Sequence, residues 1–228
     1  MPEFDRLSLL RFTRLMAAAM DAGDPFTHGR AYHCSKYACC VGRHAGMGEA
    51  SLLDLEYAAL LQDLGKKLVL FETSRKPGPL NSDERHRMAG HAQIAAKLLS
   101  EIPHLQQAAR IIAALNERFD GQGVPLGQAG GAIPLGSRIL AVVSAFDAMT
   151  SDRPYRPGLS HPEVYAELRR EAGTRFDPSV VEMLIELNEN GELFDEFDSE
   201  DAILYLGDPA FLPIFEQVAA DQRADHAA

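Results

Sequence analysis

The residues best suited to hold a phosphate-bearing ligand lie in a turn late in the chain. Arg153 and Arg156 flank Pro154-Tyr155, and planar guanidinium groups donate paired hydrogen bonds that match phosphate oxygens. This turn closes a stretch that runs from Asn116 to Pro157, in which a glycine- and proline-rich loop precedes an apolar helical pattern. The stretch predicts a loop-helix-loop unit through which binding or chemistry should pass.

The charge of the whole chain limits the partners of that unit. A formal net charge of −11 argues against a general nucleic-acid or anionic-membrane surface, because phosphate binding needs a basic footprint. An anionic ligand must therefore be held by a local basic pocket. No apolar run is long enough to span a bilayer and the N-terminus lacks the layout of a secretion signal. We expect a soluble cytoplasmic protein without nucleic-acid or membrane partners.

Three cysteines, Cys34, Cys39 and Cys40, lie close together in a helical pattern. Their odd number and spacing fit a reducing compartment better than a disulfide framework. We expect them to pack in the core, with a thiol metal or redox site as the alternative, although a metal site would want better ligand spacing.

Helices must position these residues, because apolar residues recur at helical spacing and no segment alternates with period two. A helix near Leu7–Met20 is followed by helices from about Thr27 to Ala45 and from Ser51 through Lys66, with Ser51 and Asp54 as a capping-box-like start. Further predicted helices cover 81–100, 106–118, 138–149, 161–172 and 178–189. The pattern predicts an all-α bundle.

The predicted organisation has three parts. Residues 1–20 form an N-terminal helix that packs on the bundle, residues 21–189 form the main domain, and residues 190–228 form a C-terminal extension. Seven of the thirteen residues from Glu189 to Asp201 are acidic, with Phe194 and Phe197 between them. This composition is too apolar for a purely solvated tail, so we expect the extension to pack on the bundle or on a partner.

Several spaced segments resemble motifs of one family, the HD-GYP domains. Residues 24–27 resemble DPYT, 58–66 resemble AALLHDIGK, 76–80 resemble KPGPL, 116–125 resemble HERWDGSGYP and 138–156 resemble RILAVADVFDALTSDRPYR. The match covers about residues 21–189 without gaps. HD-GYP domains are HD-superfamily metal-dependent phosphohydrolases whose members hydrolyse the bacterial messenger cyclic di-GMP. The resemblance implies an HD-superfamily helical bundle with irregular Gly/Pro-rich loops.

The resemblance also implies a metal centre whose ions activate water for attack on a phosphodiester. Of the principal ligands carried over position by position, Asp63 and His91 are present. An arginine cannot ligate a metal, leucine offers no donor atom, and neutral amide or hydroxyl oxygens bind transition metals weakly. The ligand positions with such replacements are Arg30, Gln62, Leu115, Asn116 and Ser144. The tyrosine of the GYP motif is replaced by Val124.

The sequence therefore predicts a pseudoenzyme without phosphodiesterase activity. Asp63, Lys66 and His91 are vestigial in this interpretation, and no metal or cofactor is expected. A retained metal would be held by Asp63 and His91, and an active member would carry a dinuclear iron or manganese centre.

Asp63 without its metal needs another cation, because an unpaired buried carboxylate is costly. We expect Arg30 to pair with Asp63, while Gln62, Asn116 and Ser144 complete the hydrogen bonds. The alternative is that Arg30 points to solvent and Asp63 pairs with Lys66. Asp147 is predicted to be structural.

Three functions follow from the resemblance. The first is a regulatory or scaffold protein in cyclic di-GMP-related signalling. It would contact a protein partner, such as a diguanylate cyclase domain, through its C-terminal extension and the loop that contains Gly121, Gly123, Val124 and Pro125; a homodimer is also compatible. The second is a sensor that binds cyclic di-GMP or another nucleotide without hydrolysis, through Lys66, Arg153 and Arg156. The third is an active phosphodiesterase with a metal site rearranged around Asp63, His91 and Asp24.

Overall fold

The computed structural model describes residues 6–21, 29–66, 90–151 and 157–193, except for the side chain of Leu7. The α-helices in these ranges are α1 (Arg6–Asp21), α2 (Arg30–His44), α3 (Glu49–Leu61), α4 (His91–Ser100), α5 (Gln106–Ala113), α6 (Leu135–Thr150), α7 (His161–Glu171) and α8 (Pro178–Glu189). Two 3-10 turns cover Pro103–Leu105 and Gly130–Ala132. Apart from one isolated bridge between Ala172 and Phe176, the described residues form no strand pairing. The predicted all-α class is confirmed.

The core lies between α2, α3 and α6, with α5 packed on α3 and α4 packed on α5. Helices α7 and α8, which follow α6 in the chain, both pack against it, and α8 also contacts α2. Fully buried apolar side chains fill the space between these helices, among them Val41, Leu55, Leu60, Ile112, Phe146 and Leu184. Each such side chain stabilises the bundle by about 1.5–3 kcal/mol through its removal from water, which fixes the helix ends that carry the polar residues described below.

Helix α1 packs against α2 and α3. Its Arg14 donates hydrogen bonds to Glu56 of α3, with Nη2 2.5 Å from Oε1. The hydroxyl of Tyr57, also on α3, donates to the backbone carbonyl of Arg6 at 2.8 Å. These contacts attach the start and the middle of α1 to the same neighbouring helix.

Helix α3 begins before the predicted capping box. Its N-cap is Gly48, whose carbonyl accepts hydrogen bonds from the backbone N–H groups of Ser51 and Leu52. The predicted start of α3 at Ser51 is therefore wrong. The connection from α2 is short, so α3 begins at Glu49. Gly46, at φ 80°, turns the chain sharply enough for the next helix to begin at Glu49.

Helix α5 is shorter than predicted, since it ends at Ala113 rather than near Arg118. The chain continues in tight turns, in which Leu115 N donates to Ile112 O and Glu117 N donates to Ala114 O. The apolar spacing alone could not reveal that α5 ends at Ala113. Ala114 is buried in the turns, just as it would be if the helix continued.

The later helices agree more closely with their predicted bounds. Helix α6 starts at Leu135, three residues before the predicted start, while α7 and α8 lie within one residue of theirs. A capping box of Ser160 and Glu163 begins α7, and the Asp177 side chain accepts from Ser179 N at the start of α8. None of the described helices combines the length and hydropathy needed to cross a bilayer.

The three cysteines differ in burial. Cys34 is fully buried in the core, as predicted, whereas Cys39 and Cys40 are partly exposed. Core packing therefore describes Cys34 in full and Cys40 in part, since Cys40 packs against the edge of the core cluster. The expected Thr27 cap, the segment 67–89, the turn with Arg153 and Arg156, and the extension beyond Leu193 lie outside the described residues.

Candidate functional site

A cavity of about 520 Å³ opens between the ends of several helices. Helix α2 contributes its first residue, and further lining residues come from the segment after α3, the start of α4, the turn after α5, and α6. The cavity brings together every predicted vestigial or degenerate position that the structure describes: Arg30, Gln62, Asp63, Lys66, His91, Leu115, Asn116 and Ser144. Asp24, Arg153 and Arg156 lie outside the described residues.

The centre of this site is the guanidinium of Arg30, which is 11% exposed. Its Nε lies 3.2 Å from Asp63 Oδ2, so the pair expected from the sequence is present. The alternative contact is present as well, because Lys66 Nζ lies 2.7 Å from the other carboxylate oxygen of Asp63. Asp63 is therefore held between two cations, and Arg30 does not point to solvent.

Asp147 is a partner of Arg30 that the motif comparison did not predict. Its carboxylate is nearly buried, and its Oδ2 accepts a hydrogen bond of 2.5 Å from Arg30 Nη1. His33 Nδ1 lies 3.7 Å from Oδ1 of the same carboxylate. Asp147 thus takes part in the ion network around Arg30, and its predicted structural role stays a prediction. The signal was available, since Asp147 follows Ser144 by three residues and therefore shares its helix face.

Two of the replaced ligand positions bind each other. Ser144 Oγ donates to Gln62 Oε1 at 2.7 Å, and Gln62 Nε2 donates to the carbonyl of Ala59 at 3.1 Å. A neutral amide and a hydroxyl thus satisfy one another where the resemblance implies charged or imidazole ligands. We expected Gln62 and Ser144 to complete the hydrogen bonds of the Arg30–Asp63 pair, but these bonds join the two side chains to each other and to the backbone of Ala59 instead.

The charges around Arg30 explain the ionisation of the site. Burial raises the pKa of Asp63, but Lys66 and Arg30 outweigh this effect and lower that pKa to about 2. For Arg30, burial acts to lower the pKa, but the carboxylates of Asp63 and Asp147 outweigh this effect and raise it. Burial raises the pKa of the Cys34 thiol, which favours its protonated form. The site is an ionic network of two cations and two carboxylates.

His91 is the first residue of α4 and lines the cavity. Its backbone approaches the preceding segment closely: a Cβ added at Gly65 would lie 1.9 Å from the carbonyl oxygen of His91. Only glycine allows this approach. Gly65 therefore fixes the start of α4 against the residues that follow Asp63.

Charged residues that no sequence motif singled out also line the cavity. Arg118 and Arg175 line it from one side together with Glu167 and Glu171. Arg118 is already bonded to Asp120, with Nη2 2.7 Å from Oδ2. These groups add both signs of charge to the lining of the cavity.

The glycine-rich loop is held by a buried carboxylate. Glu117 is 5% exposed, and its two oxygens accept hydrogen bonds from the backbone N–H groups of Leu126 (2.7 Å) and Gln128 (3.0 Å). The Val124-Pro125 peptide bond is cis. Val124 and Leu126 remain 53% and 73% exposed, so the anchored loop presents apolar side chains to solvent. Gly121, Gly123, Val124 and Pro125 lie beside the cavity and do not line it.

The described residues do not fit the metal centre that the resemblance implies. Arg30 occupies the space between Asp63 and Asp147, where its positive charge repels a metal ion. Gln62 and Ser144 are bonded to each other. Among residues 6–21, 29–66, 90–151 and 157–193, no three His, Cys, Asp or Glu side chains are grouped to hold an ion.

Comparison with known proteins places this geometry in a family. A family model described as HD domain matches residues 14–180. The chain is 36% identical over 172 residues to the cyclic di-GMP phosphodiesterase response regulator RpfG of Xanthomonas campestris pv. campestris (strain 8004), an alignment that covers 75% of this chain and 46% of that protein. It is 34% identical over 162 residues to a cyclic di-GMP phosphodiesterase of Thermotoga maritima, covering 70% of this chain and 44% of that protein. The chain thus spans less than half the length of these relatives.

Solved structures agree on the fold. The crystal structure of a cyclic GMP-AMP specific phosphodiesterase of Vibrio cholerae, V-cGAP3, superposes with a TM-score of 0.68 at 22% identity and covers 89% of this chain and 54% of that chain. The Bdellovibrio bacteriovorus protein Bd1817, an HDG"Y"P protein, gives a TM-score of 0.56 at 14% identity, with 81% of this chain and 62% of that chain covered. The chain belongs to the HD domain family, and its resemblance to HD-GYP domains is confirmed.

Proposed function

We propose that this chain is a catalytically degenerate HD-GYP domain that acts as a regulatory or scaffold protein in cyclic di-GMP-related signalling, without phosphodiesterase activity. One observation carries the proposal: the Arg30 guanidinium lies within hydrogen-bonding distance of both Asp63 and Asp147. In the family's reaction, bound ions activate the attacking water and neutralise developing charge. A side-chain cation can neutralise the carboxylates, but it cannot lower the pKa of a water by coordinating it.

The test combines metal analysis of the purified chain with an assay of cyclic di-GMP and 3'3'-cGAMP hydrolysis in added manganese or ferrous iron. We expect no stoichiometric metal and no product above a sample without enzyme. Stoichiometric iron or manganese together with turnover would overturn the proposal. That result would favour the active alternative, with a metal site rearranged around Asp63, His91 and Asp24.

The loop held by Glu117 supports the scaffold function. Its exposed apolar side chains, Val124 and Leu126, are presented on a backbone fixed by two hydrogen bonds, which lowers the entropy lost on binding. A diguanylate cyclase domain is the partner to test by titration calorimetry. If the loop is the contact surface, we expect Leu126→Glu to weaken binding at least tenfold. Gln128→Ala is the control: it keeps the backbone N–H that bonds to Glu117, so binding should be unchanged.

A second candidate function is nucleotide sensing without hydrolysis. The cavity volume of about 520 Å³ is in the range of small-molecule sites, and Lys66, Arg118 and Arg175 line it. Against this candidate, Lys66 already pairs with Asp63, and the guanidinium of Arg30 is already bonded to Asp63 and Asp147. Titration calorimetry with cyclic di-GMP separates the two functions: heat in the absence of metal, lost in Arg153→Ala and Arg156→Ala variants, favours the sensor.

A further inference from the structure

A second cavity, of about 670 Å³, lies in a groove between α1, α2 and α3. It shares no described lining residue with the site around Arg30. Its floor contains the apolar side chains of Leu52 and Leu53, and Cys39 and Cys40 of α2 lie along one wall. None of the family motifs quoted above contains a described residue that lines this groove.

The groove is more basic than the rest of the chain. Arg6, Arg14, Lys36 and Arg43 line it together with three carboxylates, those of Glu49, Glu56 and Glu192. The whole chain, by contrast, has 22 Lys and Arg against 33 Asp and Glu. Arg14 is neutralised by Glu56, whereas neither Arg6 nor Arg43 forms a salt bridge with any described residue. The groove therefore offers cations to an acidic ligand in an otherwise acidic protein.

The end of the described chain leads into this groove. Gly191, at φ 72°, turns the backbone after α8, and the carbonyl of Glu192 lies 3.6 Å from Cys40 Sγ, within hydrogen-bonding distance for a thiol donor. Leu193 is 4% exposed and packs in the core. The contact with Cys40 thus places Glu192, which lines the groove, two residues before the segment 194–201 in the sequence.

We propose that the groove binds the acidic and aromatic segment 194–201 of the same chain. This segment reads Phe-Asp-Glu-Phe-Asp-Ser-Glu-Asp, so its carboxylates complement Arg6, Lys36 and Arg43 while its two phenyl rings match the apolar floor. Eight residues reach at most about 26 Å, enough to cross a groove between adjacent helices. The short tether gives the segment an effective concentration on the order of millimolar, so a weak affinity suffices for docking.

Chymotrypsin cleavage after Phe194 and Phe197 in the full chain tests the proposal, because a docked segment is cut only when it opens. The Lys36→Glu/Arg43→Glu variant should be cleaved at least about fivefold faster, as expected when about 1 kcal/mol of protection is lost. Adding Asp195→Lys and Glu196→Lys to that variant should restore slow cleavage, because the charges are then exchanged between segment and groove. Recovery by charge exchange also shows that the groove variant is folded.

The matched control is Lys97→Glu/Arg110→Glu, which makes the same charge change at exposed positions on α4 and α5. Its cleavage rate should equal that of the wild type. Equal rates in all variants, or equal acceleration by the control, would overturn the proposal. Protection that disappears on dilution would overturn it too, since the occupant would then be the segment of a second copy.

Discussion

At the scale of single residues, the site depends on the guanidinium of Arg30, which pairs with the carboxylates of Asp63 and Asp147. Removing Arg30 leaves Asp63 with Lys66 alone and leaves Asp147, which is almost fully buried, without its arginine. Loss of one partner from a buried ion pair typically costs about 3–5 kcal/mol. We expect Arg30→Met to lower the free energy of unfolding by an amount in this range, measured by urea denaturation at pH 7.

The control for this variant removes the charges that Arg30 balances. Adding Asp63→Asn and Asp147→Asn to Arg30→Met should recover most of the lost stability, because neutral amides need no counter-ion. If Arg30→Met is as stable as the wild type, the guanidinium does not hold the network together.

Asp63 predicts a dependence of stability on pH. Its pKa in the folded chain is about 2, below the ordinary value of about 3.9. The ionised carboxylate therefore stabilises the fold above pH 4, and this contribution, roughly 2 kcal/mol, disappears as the pH falls through the folded pKa. Urea curves between pH 5 and 2 should show a weaker pH dependence for Asp63→Asn than for the wild type. Equal pH dependence in the two proteins would contradict the assigned ion pairs.

The residue types in the site could be predicted from the sequence, but their partners could not all be. Arg30, Asp63 and Ser144 were identified because each stands at a motif position. Asp147 was missed as a partner of Arg30 because a motif position carries no information about a contact that replaces a metal. The bond between Gln62 and Ser144 likewise depends on how two helices face each other, which spacing within one helix does not determine.

At the scale of elements, the Glu117 carboxylate connects the turn after α5 to the glycine-rich loop. Its two hydrogen bonds to Leu126 N and Gln128 N are charge-assisted and therefore stronger than neutral ones. In Glu117→Gln, one acceptor oxygen becomes an amide donor that faces an N–H group, which costs about 1–3 kcal/mol. We expect faster hydrogen exchange at both amides by NMR. Gln128→Ala keeps both hydrogen bonds and should exchange like the wild type.

Glycine at position 65 fixes the approach of α4. Because a Cβ at Gly65 would lie 1.9 Å from the backbone of His91, Gly65→Ala must displace the start of the helix, and overpacking of this kind costs about 1–3 kcal/mol. Gly131→Ala is the matched control, since a Cβ there would meet no atom within 4 Å. Thermal unfolding should show a lower Tm for Gly65→Ala alone. A similar Tm for the two variants would show that the start of α4 can move away from a Cβ at position 65 without loss of stability.

The ends of the helices were less predictable than their existence. Apolar spacing identified each described helix, because burial against the core imposes that spacing. The start of α3 and the end of α5 were misplaced, since both are decided by backbone turns, at Gly46 and at Ala114–Glu117, whose hydrogen bonds leave no periodic signal.

At the scale of the whole molecule, the ionic network predicts a fold that needs no metal. An ion bound only by the folded state stabilises it by about 2.7 kcal/mol at a hundredfold excess over its Kd, which corresponds to several degrees in the Tm of a chain of this length. We expect EDTA and millimolar manganese to leave the Tm of the wild type within about 1 °C. Arg30→His is the matched variant, because it replaces the cation with an imidazole beside Asp63 and Asp147. Its Tm should rise in manganese, whereas a wild-type Tm that falls by several degrees in EDTA would show that the native chain retains a metal despite Arg30.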